Sequence, residues 1–135
     1  MADITVTSND VRPLANAVLR RFVAGGSGSV GDLVYIAADG DVEQADASAA
    51  GTTYSSGVVV KNLSNADSAT FVATDILEVA VFGSVAGFSG MTPNDVLYQS
   101  DTAGQLADAA GTTSHKFARA HSATVLFVNP AITEA

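Results

Sequence analysis

Three groups of residues have types and spacings that chemistry could use. Gly26, Gly28 and Gly31 fit G-x-G-x-x-G, a spacing that cradles a pyrophosphate when a helix follows the last glycine and turns its free N–H groups to the anion. Here Asp32-Leu33-Val34-Tyr35-Ile36 follows, a strand-like run led by a carboxylate that repels phosphate. The glycines therefore read as a loop entering a strand. Asp39, Asp41 and Glu43 alternate as in a calcium loop, but that loop needs glycine at its sixth position and glutamate at its twelfth. This chain has Gln44 and Ala50 there, so a solvated hairpin is expected. His115 and His121 on one extended strand would lie about 20 Å apart, too far to share an ion. Ser114 and Ser122 adjoin them in sequence, and strand neighbours face opposite sides, which a Ser–His couple does not allow. No G-x-S-x-G elbow occurs, and the 14 acidic residues offer no distinctive pair. The expectation is a chain that is not an enzyme, with no catalytic residue, no metal ligand, no cofactor and both histidines on the surface.

The elements that would position any site read as short strands. Apolar residues alternate with period two, the pattern of half-buried strands, at 4–8, 18–24, 31–37, 57–62, 76–85, 95–100, 116–122 and 123–129. In 31–37 both faces are mostly apolar, as in a strand covered on each side. Gly, Asn, Asp and Ser separate the runs. Residues 41–51 contain good helix formers but only Val42 as a large apolar side chain, so no helical stripe exists to bury. Pro13 limits residues 10–19 to one turn at most.

The 135 residues suggest one domain with a real core. Hydrophobic residues make up 47% and charged residues only 15%, which argues against disorder and leaves Ser, Thr, Asn, Gln and Gly to cover the exterior. The net charge is −8, with six basic residues: Arg12, Arg20, Arg21, Lys61, Lys116 and Arg119. Phosphate binding needs clustered Lys and Arg, so neither nucleic acid nor an anionic membrane surface is expected as a partner. There is no cysteine, hence no disulfide and no thiolate zinc site. The start, MADITVTSNDVRP, lacks the basic and apolar runs of a secretory signal. No stretch has the apolar length to span a bilayer as a helix, so synthesis in the cytoplasm is expected.

The chain repeats itself. Gly31-Asp32-Leu33-Val34-Tyr35 recurs as Asn94-Asp95-Val96-Leu97-Tyr98, and the turn Asp39-Gly40-Asp41-Val42 as Ala103-Gly104-Gln105-Leu106. Gly51-Thr52-Thr53 returns as Gly111-Thr112-Thr113. Each copy runs turn, strand, Gly turn, short strand, Ala-rich loop, strand. Asn94 in place of Gly31 fits a turn residue with positive φ, which both tolerate. The expected fold is all-β: a compact β-barrel or sandwich of two related β-units, about 31–60 and 94–120. It lies within a single domain, 13–130, flanked by an N-terminal arm or edge strand, 1–12, and a loose tail, 131–135. Phe88 and Met91 lie on a Gly-rich segment and either mark a contact site or fill the core beneath a loop. The Arg20–Arg21 pair is flanked by Leu19 and Phe22, so at least one arginine should meet an acid or a partner.

The order of these motifs resembles the small capsid decoration, or cement, proteins of tailed bacteriophages. The residues that carry the resemblance are VRPLANAVLRRFVAGGSGSVGDLVYIAADGDVEQADA, then AVFGSVAGFSGMTPNDVLYQSDTAGQLADAAGTTSHKFARAHSATVLFVNP, about residues 12–130. The resemblance implies a compact β-domain, often a homotrimer, on the outer surface of the virion, binding the major capsid protein and bracing capsomer junctions. It implies no catalytic residues, and it implies capsid contacts through the N-terminal segment. The expected capsid or subunit contacts are thus Ile4, Val6, Arg12, Arg20, Arg21, Phe88 and Met91. The alternative is a head-fibre or tail-associated module that binds a host surface or glycan.

Overall fold

The computed structural model describes residues 2–48 and 54–130. Gly51-Thr52-Thr53 of the first repeat and the 131–135 tail lie outside the described residues. The described chain is all-β, with one 3-10 turn at Ser8–Asp10 and no α-helix. Its strands are β1 (Thr5–Val6), β2 (Arg12–Pro13), β3 (Val18–Val23), β4 (Gly28–Ser29), β5 (Leu33–Ile36), β6 (Val42–Gln44) and β7 (Gly57–Asn62). Then come β8 (Thr70–Phe71), β9 (Ile76–Ala86), β10 (Phe88–Ser89), β11 (Val96–Gln99), β12 (Leu106–Ala107), β13 (Lys116–Ala120) and β14 (Val125–Val128).

Eight strands form one antiparallel sheet, curled into a half-barrel, in the order β12-β11-β13-β14-β9-β7-β5-β6. Two small sheets, β1 with β10 and β4 with β8, stand beside it. The long β9 organises the whole. Its first half lies between β3 and β7, its second half between β2 and β14. The period-two pattern that marks it in the sequence is visible as buried Leu77 and Val79 against half-exposed or exposed Ile76 and Glu78. β7 is buried on both faces from Gly57 to Val60. Leu33, Val34, Leu97, Leu106, Phe117 and Leu126 fill the core around it.

The order of the sheet is the same read from either end: a hairpin with a third strand, β5-β6-β7 or β11-β12-β13, then a strand at the centre. Tyr35 pairs with Glu43 and Ile36 with Val42, as Tyr98 pairs with Ala107 and Gln99 with Leu106. The backbone bonds match too. Gly31 N–H donates to Val59 O at 2.8 Å, and Asn94 N–H to Ala120 O at 2.7 Å. Gly31 has φ 101° and Asn94 φ 75°, the left-handed turn geometry that their types anticipate. The short strands β6 and β12 fall where the repeat places them.

The N-terminal segment is woven into this frame. Ile4 N–H donates to Leu106 O at 2.8 Å, Asp3 bridges Ala107, and Asp108 N–H donates to Ala2 O at 3.0 Å. Thr5 and Val6 then pair with Ser89 and Phe88, and Thr7 N–H donates to Gly87 O at 2.9 Å. The segment thus covers the edge of β12 and ties it to the end of β9. The opposite edge strand, β6, is covered at one point, where Ala24 bridges Val42 in parallel and Gly25 N–H donates to Val42 O at 2.8 Å.

Candidate interaction surface

The residues expected to make contacts divide into two sets. Ile4, Phe88 and Met91 are 6%, 2% and 5% exposed and belong to the hydrophobic core; Val6 is half-buried and packs against it. In this conformation the three buried side chains give a partner no surface. Phe88 lies opposite Val6 in the β1–β10 pair, so the arm and the Gly-rich segment bury each other. Gly87 makes that approach possible: a Cβ there would stand 2.5 Å from Val11 Cα. Arg12, Arg20 and Arg21 are exposed. Arg21 lies in register with Glu78 of β9, which in turn faces Lys61 of β7, so the expected acidic neighbour is present.

The histidines part company. His121 is exposed and stacks on Phe127, with ring centroids 5.1 Å apart. His115, expected at the surface, is 1% exposed and stacks on Tyr54 at 4.5 Å and 10°. Its burial just before β13 goes with the contact to Tyr54, distant in the chain, a long-range arrangement that period-two alternation does not encode. No group of three His, Asp or Glu side chains converges as a metal site among the described residues.

The Gly26–Gly31 stretch has a different use. Gly28 and Ser29 form β4 and pair with Phe71 and Thr70. Asp32, the carboxylate that follows, is 4% exposed and turned inward. Its Oδ2 accepts bonds from Ser29 N–H at 2.9 Å and the Gln44 amide at 2.6 Å. Burial pushes its pKa above the ordinary aspartate value, and these two hydrogen bonds pull it partly back. The Asp39–Glu43 turn is a hairpin, with Ala37 N–H donating to Asp41 O at 2.8 Å.

Two hollows among the described residues are small. A polar hollow of about 210 Å³ lies between the Ser8–Asp10 turn and residues 66–69, with Lys61, Asn62 and Asp67 in its wall. A shallow groove of about 280 Å³ runs over β13 and β14 between Lys116, Arg119, His121 and Phe127. Both fall below the roughly 300–1,000 Å³ usual for small-molecule sites.

Two outward features remain, and sequence reading singled out only part of each. One is an aromatic stripe: Phe82, 43% exposed, meets Phe127 edge-on at 5.0 Å, and Phe127 leads on to His121. Its signal in the sequence is weak, because Phe82 sits in an otherwise core-forming run. The other is β3, where Val18 and Val23 at the ends are 44% and 41% exposed and Arg20 and Arg21 occupy the middle. No family model, no curated protein and no solved structure matches this chain.

Proposed function

We propose that this protein is a structural capsid decoration (cement) protein, which binds the outer surface of a tailed-phage head and stabilises the junctions between capsomers. The observation that carries the reading is the ordered set of motifs across about residues 12–130, from GDLVYIAADG through NDVLYQSDTAG to ATVLFVNP. A role of this kind needs contacts multiplied by symmetry more than it needs a deep pocket. The exposed rim of β3 and the aromatic stripe are surfaces of that kind. In this reading the two β-units descend from one duplicated hairpin-and-strand unit, and the protein works as a homotrimer with the major capsid protein as its partner.

A specific observation favours a second reading. Exposed Phe82 and His121 flank half-buried Phe127 in an aromatic cluster of the sort on which sugars stack, as a host-binding head-fibre or tail module would use. Incubation with undecorated, expanded capsids separates the two. Saturable binding that raises the capsid's resistance to heat supports cement. Binding to host cells or glycans, with none to capsids, refutes it.

A further inference from the structure

The outer edge of β3 is open among the described residues, and the hydrogen-bond pattern shows which groups it offers. Ala24 N–H donates to Asp75 O at 2.8 Å, whereas Ile76 turns the other way, receiving Leu63 N–H at 2.7 Å and donating to Ser64 Oγ at 2.8 Å. An antiparallel ladder exchanges bonds at every second residue. The pairs Phe22–Leu77 and Arg20–Val79 are therefore the bonded ones, and the backbone groups of Leu19, Arg21 and Val23 point outward, the Val23 carbonyl toward Val42 of β6. Only at the far end does β6 reach this edge, through the Ala24–Val42 bridge. Open edges of this length invite another strand, and the charges on the strand decide which one.

We propose that the β3 edge is a docking site for an extended acidic segment of a partner protein, which adds to the sheet as a further strand. Arg20 and Arg21 are two of only six basic residues on a chain of net charge −8, and both are exposed in the middle of this edge. They project to opposite faces, so carboxylates on either face of an added strand meet a guanidinium. Glu78 offsets only part of the row, because Lys61 stands on its other side. At the two ends, Val18 beside Phe82 and Val23 beside Ile76 are each more than 40% exposed and would cover apolar residues flanking the acids. A second copy of β3 is a poor occupant. Antiparallel self-pairing centred on the strand sets Arg20 or Arg21 against its own copy, and like charges directly opposite destabilise a pair. The inference does not depend on the capsid reading, since it concerns the edge and not the source of the segment.

The test uses a synthetic peptide with two central glutamates and valine flanks, titrated into the intact protein and followed by backbone amide NMR. Shifts confined to β3 and slowed exchange of the Leu19, Arg21 and Val23 amides are expected. A peptide with lysines for the glutamates should not bind. One N-methylated at alternate residues on its pairing edge should lose binding, a control that leaves the protein untouched. Arg20→Glu with Arg21→Glu should weaken the acidic peptide about fivefold or more at low salt, as two rim charges allow. Equal response to acidic and lysine peptides, shifts centred away from β3, or no response at millimolar peptide would overturn the proposal. So would protection of these amides in the free protein that vanishes on dilution, which would assign the edge to a second copy.

Discussion

Replacement of Ile4 by alanine tests whether the N-terminal segment is an arm or part of the fold. Ile4 is 6% exposed, and its N–H bond to Leu106 O survives the substitution, so the loss is that of the side chain alone. Three buried carbons at about 0.8 kcal/mol each give roughly 2.4 kcal/mol of transfer free energy. A residual cavity brings the expected loss to about 2–5 kcal/mol. For a chain of this length that corresponds to a fall of about 7–18 °C in Tm. Because total stability is commonly about 5–15 kcal/mol, such a variant folds but loses a large share of its margin. The chain has no tryptophan, so urea and thermal unfolding are best followed by circular dichroism, with exposed Thr5→Ala as the control. Thr5→Ala should stay within about 0.5 kcal/mol of wild type. If Ile4→Ala unfolds like Thr5→Ala, the segment is not packed as described and the reasoning fails. Deleting residues 1–12 removes Ile4 and Val11 from the core together. That deletion should therefore lower stability, and if the protein is the capsid cement proposed above it should lower capsid binding with it, so point variants are needed to separate the two.

Two further outcomes follow from single residues. Asp32 has a raised folded-state pKa, chiefly from burial. The folded state therefore takes up a proton before the unfolded state does as pH falls, so its contribution to stability rises through the folded pKa and levels off below the ordinary aspartate value. Wild type should gain on Asp32→Asn as pH drops through that window, measured by urea unfolding, and a constant difference between them would contradict the assignment. At Asn94, with φ 75°, Asn94→Gly should be nearly neutral, while the β-branched Asn94→Val should cost about 1–2 kcal/mol. Equal midpoints for the two variants would show that the turn does not need the left-handed conformation.

How much of this was legible in the sequence differs from element to element. The runs at 76–85 and 95–100 alternate as a pleated strand does, the run at 57–62 is a short β-branched stretch buried on both faces, and each is a strand close to those bounds. The repeat was readable for the same local reason. A Gly or Asn at the entry to each copy and a Gly at its hairpin specify turns within a few residues. β4 and β8 were not legible, because two-residue strands in polar loops carry no period. The seven expected contact residues were harder still. Phe88 and Met91 left two readings open, and Ile4 and Val6 alternate in a way that suits an edge arm as well as a core strand.

Taken alone, the sequence determined what is set between near neighbours: an all-β chain, the faces of each strand, the positive-φ turns, and a −8 charge that leaves Arg20 and Arg21 as a rare basic pair. Tertiary structure alone decided which faces and edges remain for others. Ile4 lies in the core in a segment whose backbone pairs with Leu106, and His115 is buried with its ring against Tyr54, distant in the chain. The side-chain period of a strand says which residues share a face, but not whether another layer covers that face. That depends on pairings between residues far apart in the chain, whose cost in loop closure is recovered only when the whole sheet forms.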